Sequence, residues 1–81
     1  MNRNDVYKLI DGERDYQNNK PPRPKSDDKT SVAEWLIYIE KHLDLAKDNV
    51  YHLNETTALE CIRKIAALSV ACMENNNTSA R

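Results

Sequence analysis

Two clusters of residues have types and spacing that could do chemistry. The first is Gly12-Glu13-Arg14-Asp15-Tyr16-Gln17, followed by Lys20 and Arg23. It sets a guanidinium, an aromatic ring and an amide within one helical turn, beside a basic, proline-rich loop. Arginine grips phosphate through a bidentate fork, and a tyrosine ring stacks on a base. The second is Arg63-Lys64, the cations that precede a long apolar run. With Trp35 these make a ligand-binding set suited to a nucleotide-type small molecule: Arg14, Tyr16, Gln17, Lys20, Arg23, Trp35, Arg63 and Lys64. The plainer reading of the first cluster is an exposed helix end with i,i+3 and i,i+4 pairs. For Trp35 it is a core or interface anchor, because the residue lies on an apolar stripe.

Other reactive side chains are poorly placed for catalysis. His42 and His52 stand ten apart without a matching cysteine pair, which is not zinc-site spacing. Cys61 and Cys72 fall in one helix, roughly 16 Å apart along its axis, beyond the reach of a disulfide. With no base nearby in sequence they read as core thiols. The chain has no glycine-rich phosphate loop and no nucleophile elbow.

The elements that must carry these residues are helical. The chain has 81 residues, one glycine and three prolines, the prolines all within four positions. That length gives one domain with a marginal core, and two cysteines are too few for a disulfide scaffold, so self-association is the expected remedy. A net charge of -1 argues against general nucleic-acid binding. The opening residues hold no apolar leader, and no apolar run approaches the ~20 residues of a membrane span. The expectation is a cytoplasmic protein without membrane or nucleic-acid partners.

A first helix is expected over about 4–17, capped by Asn4, with Val6, Leu9 and Ile10 as a narrow apolar stripe and Gly12 as a weak point. Residues 18–30 form a proline-rich loop, expected to be mobile. Ser31-Val32-Ala33-Glu34 is a capping box opening a second helix over about 32–53. Its apolar series repeats every seven residues, through Val32, Ile39, Ala46 and Leu53 and through Leu36, Leu43 and Val50. Asn54 or Thr57 then caps a third helix over about 57–74, which folds back on the second. From Ile65 to Met73 this helix is apolar nearly all round, so helix one or another subunit must cover what helix two does not. Ala67 and Ala71, four apart, suit close approach of another helix. The tail 75–81 is expected to be disordered. The fold class is all-α: a short N-terminal helix plus an antiparallel two-helix hairpin, assembled as an oligomeric helical bundle.

The order Glu13-Arg14-x-Tyr16-Gln17, then Glu34-Trp35-Leu36, then Arg63-Lys64-Ile65-Ala66-Ala67-Leu68 and Val70-Ala71-Cys72-Met73-Glu74 resembles short phage-encoded proteins. These in turn look like MazG-like all-α nucleoside triphosphate pyrophosphohydrolases. The resemblance covers residues 8–74. It implies a magnesium site on an E-E-x-x-E motif in one helix and an E-x-x-D motif in the next, since Mg²⁺ takes oxygen ligands from facing helices. Here Glu40 and Asp44 keep the outer acids of the first motif, but Lys41 replaces a carboxylate. Cys61 and Lys64 stand where the second motif needs acids. The resemblance therefore implies a protein without catalysis or metal that binds and sequesters a nucleotide-derived ligand in counter-defence, in the host cytoplasm. Two alternatives stand beside it. One is a Mg²⁺-dependent pyrophosphohydrolase using Glu40, Asp44 and Glu60; the other is a small inhibitor that binds a host protein.

Overall fold

A computed structural model of the chain describes residues 1–20 and 25–81. Among these residues the protein is all-helical: three α-helices packed together and no strand. Helix α1 spans Arg3–Asn18, α2 Val32–Tyr51 and α3 Glu55–Asn76, with one turn of 3-10 helix at Asp27–Lys29 before α2.

Each start follows from a side chain that satisfies orphan amides. Asn2 caps α1, two residues earlier than the sequence suggested. The Asp5 amide donates to Asn2 Oδ1 at 2.9 Å, and the Asn2 amide donates to Asp5 Oδ2 at 3.3 Å. Asn2 wins over Asn4 because an acid three residues on returns the hydrogen bond. At α2 the expected box forms between Ser31 and Glu34, and Lys25 adds a 3.1 Å hydrogen bond to Glu34 Oε1. Asn54 caps α3 by accepting from the Thr57 amide.

The ends differ from expectation in two places. Helix α2 stops at Tyr51 because Leu53 takes a left-handed φ of 61°, and the Asn54 amide donates back to the Asn49 carbonyl at 2.7 Å. Leu53, read as the last member of a seven-residue series, therefore lies in the turn and is 92% exposed. Helix α3 continues through Asn76, two residues into the tail read as disordered. Asn75 and Asn76 donate to the carbonyls of Ala71 and Cys72, and Asn77 ends the helix with φ 52°.

Packing explains the all-round apolar stretch of α3. Trp35 is fully buried against Leu68 and Ala71, with Tyr38, Ile39 and Cys72 around them, so early α2 meets late α3. At the other end Ala46 and Ala58 are buried and let the two helices approach closely. Helix α1 packs on α3 and not on α2, which makes α3 the central element. Ala67 and Ala71 are fully buried within this one chain, so they are spent internally and are not available to another subunit.

Helix α1 buries charged residues rather than an apolar stripe. Its buried residues are Glu13 and Arg14, whereas Val6 and Leu9 stay more than 40% exposed. The expected apolar stripe contributes only a half-buried Ile10. The described end of the loop is fastened too: Thr30 is buried and donates to the Ser26 carbonyl, and Asp27 reaches Arg14.

Candidate functional site

A cleft of about 480 Å³ runs between α1 and α3, lined by Lys8, Leu9, Gly12, Glu13, Tyr16, Lys20, Arg63 and Lys64. Its α1 wall is a row of residues four apart: Lys8, Gly12, Tyr16 and, just beyond the helix, Lys20. Residues at i,i+4 stack along one helix face, so this row is one surface. Gly12 leaves a gap in the middle of it; a Cβ placed there meets nothing within 4 Å. The α3 wall supplies Arg63 and Lys64.

Four cations face one carboxylate in this cleft. Arg63 Nε donates to Glu13 Oε1 at 2.8 Å; the Glu13 side chain is 5% exposed and that of Arg63 39%. The pair neutralises itself and leaves Lys8, Lys20 and Lys64 as net positive charge. The Lys20 ammonium lies 4.6 Å from the centroid of the Tyr16 ring, a cation–π contact at an exposed site. Such a contact is worth about 0.5–1 kcal/mol, little enough for a stacking ligand to displace.

His42 reports the same positive field from α2. Burial lowers its pKa below the ordinary histidine value, and Lys64, Lys41 and Lys20 lower it further, against a smaller opposing effect of Glu13. Its Nδ1 is buried and has no hydrogen-bond partner among the described residues. A neutral imidazole is the form this environment favours.

The ligand set read from the sequence divides. Tyr16, Lys20, Arg63 and Lys64 come together in the cleft. Arg14 does not. Adjacent helical residues project about 100° apart, so Glu13 turns to Arg63 while Arg14 turns to the loop and the end of α3. The Arg14 guanidinium, almost fully buried, lies 3.7 Å from Asp27 and 3.5 Å from Glu74, and its Nη1 donates to Gln17 Oε1 at 3.3 Å. Arg14 and Gln17 thus form a structural clasp. Trp35 belongs to the core and lines no part of the cleft. Arg23 lies outside the described residues. Lys8, Leu9, Gly12 and Glu13 join the cleft without having been singled out as ligand residues; the signal for Lys8 and Gly12 was their four-residue spacing with Tyr16 and Lys20.

The acids of the hydrolase alternative are placed differently. Glu40 and Asp44 are exposed on α2 with Lys41 between them, and Glu60 is exposed on α3. Among the described residues no three His, Cys, Asp or Glu side chains gather where they could hold a metal ion, so these acids form no common centre. No helix among those residues is long and apolar enough to cross a membrane.

No protein-family model, curated protein or solved structure matches the chain.

Proposed function

We propose that this protein is a non-catalytic binding module that holds a nucleotide-type ligand in the α1–α3 cleft. One observation carries the reading. Lys8, Lys20 and Lys64, drawn from two elements and a loop, line one concavity with an exposed tyrosine ring. Cations on opposite walls suit phosphate, and an aromatic face suits a base. The Glu13–Arg63 pair fixes the spacing of the walls and leaves Arg63 partly exposed toward the ligand. Sequestration of a nucleotide-derived signal in a host cytoplasm, as phage counter-defence, extends this reading through the sequence resemblance alone.

The test is equilibrium dialysis of the pure protein against ATP, AMP, adenosine and pyrophosphate, with Mg²⁺ or with EDTA, followed by chromatography of the small molecules. The proposal expects ATP or AMP to be retained unchanged in EDTA, and adenosine to bind far more weakly. Mg²⁺-dependent release of AMP and pyrophosphate from ATP would point to the hydrolase instead. Failure to retain any of the four would remove the nucleotide reading.

A further inference from the structure

An apolar surface that the cleft does not account for lies on α2, away from the α1–α3 cleft. Leu36, Leu43 and Val50, seven residues apart, remain 59%, 40% and 55% exposed. A seven-residue step returns to nearly the same side of a helix, so the three form one stripe, with Val32 at its start. The stripe runs beside the core row Trp35, Ile39 and Ala46. Near the α2–α3 turn it opens into an apolar groove of about 500 Å³ whose walls include Ala46, Val50, Ala58, Leu59 and Ile62. Leu59 and Ile62 are 67% and 49% exposed there. The two buried alanines make the depression, and the large side chains make its rims.

We infer that this face is a two-fold contact with a second copy of the chain, in which α2 packs antiparallel on the partner's α2. The stripe is self-complementary about Leu43. In an antiparallel pairing centred there, a residue seven before the centre meets one seven after it. Leu36 then lies opposite the partner's Val50, and Leu43 opposite the partner's Leu43. The charges beside the stripe agree. Glu40 stands three before the centre and Lys47 four after it, so each copy sets its Glu40 beside the partner's Lys47. A parallel pairing would carry Glu40 and the partner's Lys47 to opposite edges of the contact and lose this match. The groove fits the same geometry, because the start of the partner's stripe, its Val32 and Leu36, arrives at Val50, Leu59 and Ile62. Two-fold contacts of this kind use one patch on both copies.

Size supports the assignment. Six large apolar side chains on this face, left between 40% and 67% exposed, offer on the order of 500 Å² per copy, or about 1,000 Å² across the contact, where specific interfaces begin. A patch of roughly 500 Å² lies toward the upper end of what single chains expose, and patches of that size are often contact surfaces. The contact replaces Ala67 and Ala71, which the fold has already buried, as the basis for self-association.

Sedimentation equilibrium of the full chain tests this, with far-UV circular dichroism as the check on folding. The wild type sediments as a dimer or as an assembly containing it. Leu43→Glu places two carboxylates at the centre and shifts the chain to monomer with unchanged helicity, whereas Ile37→Glu, off the stripe, leaves the assembly intact. Lys47→Glu weakens association by at least about tenfold, and Glu40→Lys combined with Lys47→Glu restores it. Should Leu43→Glu unfold the chain, Leu43→Cys with Cys61 and Cys72 changed to Ala gives a second readout: oxidation yields a disulfide-linked pair. A monomeric wild type overturns the proposal, including one that associates only with a different protein. So do an assembly that survives Leu43→Glu and a charge exchange that fails to rescue.

Discussion

Arg63 donates its Nε hydrogen to Glu13 Oε1 across 2.8 Å, joining the middle of α1 to α3 over fifty residues of chain. The two partners are unequally covered: the Glu13 side chain is 5% exposed and that of Arg63 39%. Breaking the pair therefore has a direction. Arg63→Ala strands a buried carboxylate, whereas Glu13→Ala frees an arginine that can turn to water. We expect Arg63→Ala to destabilise by about 1–3 kcal/mol after allowing for solvent around the arginine, and Glu13→Ala by less. Urea unfolding of both variants measures the difference; equal losses would mean that the carboxylate is not the costly partner.

Arg14→Ala should act on the fold before it acts on a ligand. Its guanidinium is buried among Asp27, Glu74 and Gln17, so removal takes away one link between α1, the 3-10 turn and the end of α3. The expected loss is about 1–3 kcal/mol of stability, with faster amide exchange at residues 27–30. Unchanged stability with lost ligand affinity would show that Arg14 belongs to the site after all.

Gly12→Ala separates helix propensity from binding. The added methyl meets nothing within 4 Å, so the helix should gain up to about 1 kcal/mol. The same methyl projects into the gap between Lys8 and Tyr16 in the cleft wall. Higher thermal stability with weaker nucleotide retention is the expected pair of results; higher stability with undiminished retention would place the ligand elsewhere.

Among the described residues, two with lowered pKa values contribute to the acid response, and both have the same sign. His42 has a folded pKa below its ordinary value, through burial first and then the neighbouring lysines. The unfolded chain takes up that proton more readily, so stability falls as pH drops through about 6.5 and toward the lower folded value. Glu34 is also lowered, by the Ser31 backbone amide first, then by the Lys25 side chain and the Ser31 hydroxyl. Its contribution is present above pH 4.5 and is lost as pH falls through its folded value. Urea midpoints should therefore decline in two stages on acidification, and His42→Asn should flatten the upper one. A midpoint that rises between pH 7 and 6 would contradict this.

Some local chemistry was legible in the sequence where one segment contained both partners, although the Asn2–Asp5 box, equally local, was passed over for Asn4. The Ser31–Glu34 box and the core position of Trp35 could be read this way, since the hydrogen-bonding pair or the apolar period lies within a few residues. Pairings across the chain were not legible. Glu13 and Arg14 are neighbours of opposite charge, and only their partners, Arg63 on one side and Asp27 with Glu74 on the other, decide which belongs to the cleft. Ala67 and Ala71 promised a close helix contact, but nothing local distinguishes a helix of the same chain from that of a second copy. Leu53 continued an apolar series, yet the turn needed a left-handed residue at that point, and the turn prevailed over the period.

On the proposed function, the α1–α3 cleft binds nucleotide through its lysines and tyrosine without a metal. Titration calorimetry of ATP into the protein in EDTA tests it most directly, with Lys64→Gln and Tyr16→Ala compared at matched folded fraction. Each substitution should weaken binding by about 1–3 kcal/mol, roughly five- to 150-fold, and leave helical content unchanged. ATP binding that is absent in EDTA, or equally tight in both variants, would contradict the account.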